Sequence, residues 1–498
     1  MNKPVRWHDY LTINIYWLGL TTVAQTMTPL VVPLLVQQFV GEELKGTFYG
    51  TLRLWTLMAA LLVQALMGML SDRSTLRWGR RRPFILIGTL LDLVFMALIS
   101  LSAGLSGMSG YVFLFAMIIL LQISSNTAQA GQNGLIPDLV PEKMRGRFSG
   151  VKAIFEIPLP LILVSFTIGR VIAAGHLWTG IFIAMGILVI AMVLTMFAPE
   201  ERPSGSPPAL NWTPFLRLAL MTALFTAIIL LMGWLVQAIS RLVNGVGGSL
   251  SGAILIGVTG LGAMLVAIGL GVWMSVRVGV GDVIRKHPSF TWWVVNRLAF
   301  LVGANNLASF TVYFLQARLG FAREKAVGPA AMLTMFVGIF ILLAALPSGW
   351  LADRFGHKRL VLLSGLVAAL GTLIALLVPN LTLIYVGGSV IGMAIGVFYT
   401  SNWALGTEIV PPEQAGRYLG ISNLAGAGAG AIGAYIGGPI ADQITSRVVD
   451  FPGLGYLILF AIYGTLFLLS TLALRGIRLK PVDSKVEPQV KPASALSH

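Results

Sequence analysis

Fourteen apolar stretches, each close to the length of a bilayer-spanning helix, decide what solvent this chain can fold in. An α-helix rises about 1.5 Å per residue, so about 20 mostly apolar residues cross a hydrocarbon core of about 30 Å. Runs of that length fall near 11–36, 49–70, 84–103, 111–136, 148–173 and 178–197. Two more lie near 215–239 and 253–276, and six near 292–315, 326–351, 360–378, 383–405, 418–440 and 456–474. A water-soluble core could not hide this much apolar surface: 56% of the residues are hydrophobic and 11% charged, with a mean hydropathy of +0.84. The expected fold class is an all-α polytopic membrane protein with about 14 transmembrane helices. Lys3 and Arg6 precede the first run as in a secretory leader, but its length and scattered polar residues make it the first span.

Charge then predicts orientation. The net charge of +15 would point to nucleic acid in a soluble protein. Here the basic residues fall in alternate loops: Arg73 to Arg82, Lys143 to Arg147, Arg202, Arg285 with Lys286, Arg354 to Arg359 and Arg475 to Lys480. The intervening loops carry chiefly Lys45, Arg170, Arg241, Arg318, Arg323 and Lys325. The positive-inside rule puts both termini in the cytoplasm and the protein in the cell (inner) membrane, with no nucleic-acid partner. The absence of cysteine excludes disulfides, thiolate zinc sites and thiol catalysis. No metal and no cofactor is expected.

Two signatures recur in the same order. GMLSDR from Gly68 returns as GWLADR from Gly349, followed by Gly356, His357, Lys358 and Arg359. IPDLVPEKMRGRFSG from Ile136 returns as GTEIVPPEQAGRYLG from Gly406. The repetition predicts two homologous six-helix halves, 1–198 and 291–478, separated by a linker with two additional spans, 199–290. An inserted pair preserves the halves' relative orientation and is expected to be a lipid-facing spacer. Residues 479–498 are expected to form a disordered cytoplasmic tail.

GWLADRFGHK resembles the signature between the second and third spans of each half in the major facilitator superfamily. SDRSTLRWGRRRPFILIG is similar to the corresponding loop of the glycoside-pentoside-hexuronide and sucrose-proton symporters. The resemblance implies a major facilitator fold and transport by alternating access. It also implies a cytoplasmic gate in which Asp72, Arg73, Arg80, Asp353 and Arg354 bridge neighbouring helices in the outward-open form, with Arg147 and Arg417 as partners. Where sucrose-proton symporters carry a span-four aspartate and a later arginine, the alignment places Gln122 and Asn133. The membrane acids of melibiose-type symporters are absent as well, so coupling residues must be sought elsewhere.

Charges inside spans cost about 2.5 to 3.5 kcal/mol at the bilayer centre, so each needs a reason. Asp92 lies well inside its span, and Glu156 lies inside another with Lys152 one turn earlier on the same face. Burial disfavours a charged carboxylate and a neighbouring lysine favours it. Asp92, Glu156 and Lys152 are therefore the coupling candidates. Arg53 and Arg297 are read as snorkelling from span ends. The run from Gln122 carries an amide-rich face with Asn126, Gln129 and Asn133 at helical spacing, and Gln25, Asn305, Asn306, Asn402 and Trp403 supply similar groups on other spans. These are the substrate-cavity candidates, because amides beside aromatic rings suit a polyhydroxylated ligand. The run AGAGAGAIGAYIGGP lacks the lysine and hydroxyl of a phosphate loop, and its small residues four apart, Gly426 with Gly430 and Gly433 with Gly437, suit close helix packing.

The leading expectation is a secondary active transporter, not an enzyme, that works as a monomer on a small solute and couples to protons as a sugar or glycoside symporter. The alternatives are proton-antiport efflux of drug-like solutes and a non-transporting membrane assembly factor on the same fold. All five histidines, His8, His176, His287, His357 and His498, fall in loops or at ends, which leaves a pigment no buried axial ligand.

Overall fold

The computed structural model describes residues 6–199, 211–243, 249–281, 288–410, 415–448, 450–451 and 453–478. Among them there are helices and connecting turns but no strand. The first six spans are α1 (Trp7–Val40), α2 (Lys45–Ser71), α3 (Arg82–Leu101), α4 (Gly107–Leu139), α5 (Glu142–Ala173) and α6 (Leu177–Thr195). The inserted pair is α7 (Thr213–Val243) and α8 (Leu250–Gly279). The last six are α9 (Pro288–Ser309 with Thr311–Leu319, bent by 63°), α10 (Val327–Phe355), α11 (His357–Leu377), α12 (Leu381–Ile409), α13 (Leu424–Arg447) and α14 (Leu454–Gly476). The expected tail at 479–498 lies outside the described residues, as do Arg202, Arg285 and Lys286.

Two spans carry π turns, at Met27–Val31 in α1 and Val164–Ile168 in α5. Pro29 lies inside the first and Pro33 follows it, and Pro158 and Pro160 precede the second. A proline has no N–H to donate, so the local ladder rewinds. The π turn of α1 places Met27 and Thr28 on the wall of the cavity described below.

The two halves meet along α2 and α13 and along α5 and α10. The first contact depends on glycine. A Cβ added at Gly50 would lie 2.1 Å from the Ala434 carbonyl oxygen, and one at Gly438 would lie 2.1 Å from that of Gly46. Backbone on both sides cannot yield as a flexible side chain would, and overpacking costs about 1 to 3 kcal/mol or more. Gly50→Val is therefore expected to lower the melting temperature of the purified protein by several degrees. Gly68→Val, at a glycine with nothing within 4 Å, is the control expected to leave it unchanged. In the glycine run, Gly430 faces Leu57, Gly433 faces Asn306 and Gly437 faces Tyr463, whereas Gly426 has no such neighbour.

The inserted pair does more than face lipid. Helices α7 and α8 pack on each other and on α13, and α7 also touches α2 of the other half. The Phe225 ring fills the space beside Gly271 on one side and Gly428 on the other, and Arg447 donates from Nη2 to the Ser240 carbonyl at 2.5 Å. The expectation of a pure spacer is corrected to that of a buttress along the seam between the halves. The reason lies in small residues on α8 and α13, which admit side chains from their neighbours. Leu220, Leu231, Trp234, Ile254, Val258 and Trp273 are exposed on the pair and form its apolar outer surface.

Candidate functional site

A cavity of about 180 Å³ opens between α1, α2, α4 and α5 of the first half. Helix α1 contributes Trp17, Thr21 and Thr28, α2 contributes Arg53 and Thr56, α4 contributes Gln122, Ser125, Asn126 and Gln129, and α5 contributes Glu156. The spacing of the α4 residues, three and four apart, puts their side chains on one face. Asn126 donates to the Gln122 backbone carbonyl at 2.8 Å, which fixes its amide against its own helix.

Glu156 lies 3.6 Å from Lys152, and the lysine ammonium also sits 4.0 Å from the centre of the Trp17 ring. The pair is partly exposed, and its Glu156 member lines the cavity. Asp92 has no exposed surface. Its carboxylate accepts from Ser125 at 2.9 Å on both oxygens and from Ser124. Because Ser125 also lines the cavity, Asp92 stands one hydroxyl behind the wall.

The remaining cavity candidates fall elsewhere. Gln25 is half-buried on α1 and does not line this cavity. Asn305 and Asn306 donate to the carbonyls of Gly426 and Ala429 and so fasten α9 to α13. Asn402, fully buried, donates to Asn296 at 2.9 Å and accepts from Arg297 at 3.0 Å. Trp403 is 40% exposed, with its ring centre 5.5 Å from the Arg297 guanidinium carbon. Snorkelling is the wrong reading for both arginines. Arg297 is buried among Trp293, Tyr399 and Trp403, and Arg53 faces the cavity.

At the basic loops, Arg81 supplies the main junction. It bonds Asp138 at 2.8 Å, Asp72 at 2.6 Å and Ser71 at 3.0 Å, while Arg80 lies 2.6 Å from Asp138. Burial disfavours the Arg81 charge, but the two carboxylates outweigh it and raise its pKa above the ordinary arginine value. The partners foreseen for this loop are therefore corrected. Asp138 of the second signature takes the place expected for Arg147, which is exposed, because α4 continues through Pro137 and carries the acid to the arginines. Arg73 sits half-buried beside Asp72 in sequence and has contacts of its own. In the second half, His357 lies 2.6 Å from Glu408 in the matching place, and Arg354 leans on the rings of Trp350 and Phe355. Asp353 is exposed, and the Arg417 side chain lies outside the described residues.

The opposite face holds a second network that the loop charges did not reveal. Lys45, which the charge pattern places in a loop, is 5% exposed. Its ammonium bonds Glu42 at 2.5 Å and Gln316 at 2.8 Å and lies 4.9 Å from the Tyr313 ring centre. Asp442, on α13, accepts from the backbone N–H groups of Gly46 at 3.0 Å and Thr47 at 2.6 Å. A carboxylate at the start of α2 satisfies free N–H donors and meets the positive end of the helix dipole. Gln316 donates to Gln37, Tyr313 to the Pro33 carbonyl and Ser165 to the Ala331 carbonyl. These side-chain hydrogen bonds join the two halves at this face. Burial pushes the Glu42 carboxyl up, but Lys45, with Gln37 and Arg323, holds it below its ordinary value.

Two six-helix halves with repeated loop signatures, a polar cavity within the bundle and a polar closure at one face match a single family model, described as Major Facilitator Superfamily, over residues 17–322 and 298–497. The chain belongs to the major facilitator superfamily. The superfamily is one of membrane transporters. The chain is 35% identical over 88 residues to the minor myo-inositol transporter IolF of Bacillus subtilis (strain 168), a match covering 18% of this chain and 20% of that protein. It is 25% identical over 180 residues to sucrose transport protein SUT5 of Oryza sativa subsp. indica, covering 29% and 33% respectively. The chain thus spans only a fifth to a third of the length of these curated relatives. A crystal structure of the nucleoside transporter NupG matches with a TM-score of 0.65 at 14% identity, over 94% of this chain and 99% of that one. This likeness shows the fold alone. Within that fold the superfamily's loop signature is present twice, and in each half a basic residue of the first signature meets an acid of the second, Arg80 with Asp138 and His357 with Glu408.

Proposed function

We propose that this protein is a proton-coupled symporter of a polyhydroxylated solute of the sugar, glycoside or cyclitol class, and that the structure is its outward-closed form. The observation that carries the proposal is the first-half cavity, which three amides, a tryptophan ring and Glu156, paired with Lys152, line together. Hydroxyls exchange water for amide partners, and the apolar face of a sugar ring packs on an aromatic one. Polyol-transporting relatives, a myo-inositol transporter and a sucrose transport protein, support the same class. With the basic loops in the cytoplasm, the Lys45 and Asp442 networks are the outer closure.

Glu156 is the coupling group in this proposal. When it is charged, Lys152 neutralises it; when it takes a proton, Lys152 is freed toward Trp17 and the cavity. Asp92 serves as the reserve carboxylate behind Ser125. The test is uptake by proteoliposomes of radiolabelled myo-inositol and sucrose under an imposed pH gradient. Wild-type protein is expected to accumulate one of them. Glu156→Gln is expected to keep equilibrium exchange while losing at least tenfold of the gradient-driven accumulation. Full accumulation by the variant would remove Glu156 from the coupling role, and no exchange of any polyol would remove the substrate class.

A further inference from the structure

Arg53 and Arg297 both lie eight or more residues inside membrane helices of the bundle, and they are provided for very differently. Arg297 bonds the Asn402 amide oxygen at 3.0 Å and has three aromatic rings with centres 5.5 to 6.0 Å from its guanidinium carbon. Arg53 has no such provision. It stands eight residues into α2, about 12 Å from the start of the helix at 1.5 Å per residue, and lines the cavity. Its Nε, like that of Arg297, is buried without a hydrogen bond, and among the described residues no side-chain hydrogen bond, aromatic ring or acid holds the Arg53 guanidinium. The cavity's one acidic lining residue, Glu156, is already matched by Lys152. Asp92 is spent on two serine hydroxyls behind the wall. Arg53 is therefore the cavity-lining charge that no neighbouring group of opposite sign matches.

A guanidinium carries a permanent charge and presents its N–H groups in a planar fork that fits a carboxylate with two parallel bonds. A charge inside a membrane helix needs a partner of opposite sign or a functional reason to lack one. We infer that Arg53 is an anion subsite, and that the solute carries an acidic group, a carboxylate, which docks on Arg53 while its hydroxyls meet Gln122, Asn126 and Gln129. The inference rests on the polyol reading above and narrows it from neutral sugars to sugar acids. It also gives the Lys152–Glu156 pair a reason to stay internally balanced: a free carboxylate on the wall would repel the same ligand.

The experiment is a thermal-shift titration of the full-length protein in detergent with two matched pairs, gluconate against glucitol and glucuronate against glucose. Each pair differs by one carboxylate. Sodium chloride and sodium phosphate serve as inorganic-anion arms at equal ionic strength. The expected result is that at least one acid stabilises the protein at a concentration tenfold or more below its neutral partner. That preference should vanish in Arg53→Gln and be kept in part by Arg53→Lys, whose unliganded melting temperatures show whether each variant is folded. An acid preference that survives Arg53→Gln would overturn the subsite. So would equal stabilisation by acid and neutral partners, which would leave the polyol reading standing. Stabilisation through Arg53 by chloride or phosphate alone, with none from any polyol, would overturn both.

Discussion

Asp442→Ala is expected to unlatch the outer face. The carboxylate accepts two backbone N–H bonds across the boundary between the halves, from a position 4% exposed. Hydrogen bonds to a charged group contribute about 1.5 to 3 kcal/mol each, and the N-terminus of α2 adds a favourable dipole. A loss of about 3 kcal/mol from one of two balanced forms shifts their ratio by roughly 100-fold. The substitution leaves Lys45 on Glu42 and Gln316, so the lysine is not stranded. The absence of cysteine makes the measurement direct: Gln38→Cys and Lys325→Cys place spin labels on the two halves at this face. The distance distribution between them should be short in the parent protein and move to longer values once Asp442 is replaced. An unchanged distribution would mean that glycine packing between α2 and α13 closes the face unaided.

Arg81→Ala should produce the largest loss of stability among the loop residues. The guanidinium is 7% exposed and joins α2, α3 and α4 through Ser71, Asp72 and Asp138. Helix α4 makes room for it with Gly134, where an added Cβ would lie 2.2 Å from the arginine Nε. Removing one member of a buried ion pair costs about 3 to 5 kcal/mol because the other is left without its partner. Asp72 is largely exposed and Arg80 still reaches Asp138, so the expected loss is nearer 2 to 3 kcal/mol on that scale. Denaturation in mild detergent should show a clear fall in melting temperature. Asp353→Ala, at the corresponding exposed acid of the second half, should change stability by no more than about 0.5 kcal/mol. Equal losses at the two sites would refute the asymmetry between the loops.

Much of the bundle is legible in the sequence, and the reason is local. A span announces itself by about 20 consecutive apolar residues, and a duplicated half by repeated short signatures. The pairing of Glu156 with Lys152 was equally legible, because residues four apart share a helix face. The amide face of α4 followed from the same period. What could not be read was the role of a polar residue whose partner is distant in the chain. Asn305, Asn306 and Asn402 carry the same chemistry as Gln122, yet they fasten helices together while Gln122 faces the cavity. Arg53 and Arg297 looked like a matched pair of snorkelling side chains, but one faces a cavity and the other an aromatic cage.

By itself, the sequence determined the solvent, the helix count, the two-fold repeat and the loops where basic charge collects. Hydropathy and spacing are properties of neighbouring residues, and they survive without knowledge of the fold. Tertiary structure alone decided which charges meet. Asp442 reaches Gly46 across 396 positions of sequence, and Lys45 meets Gln316 across 271. No periodicity records such a contact. It exists only because glycines let α2 and α13 approach closely enough for one helix to cap the other.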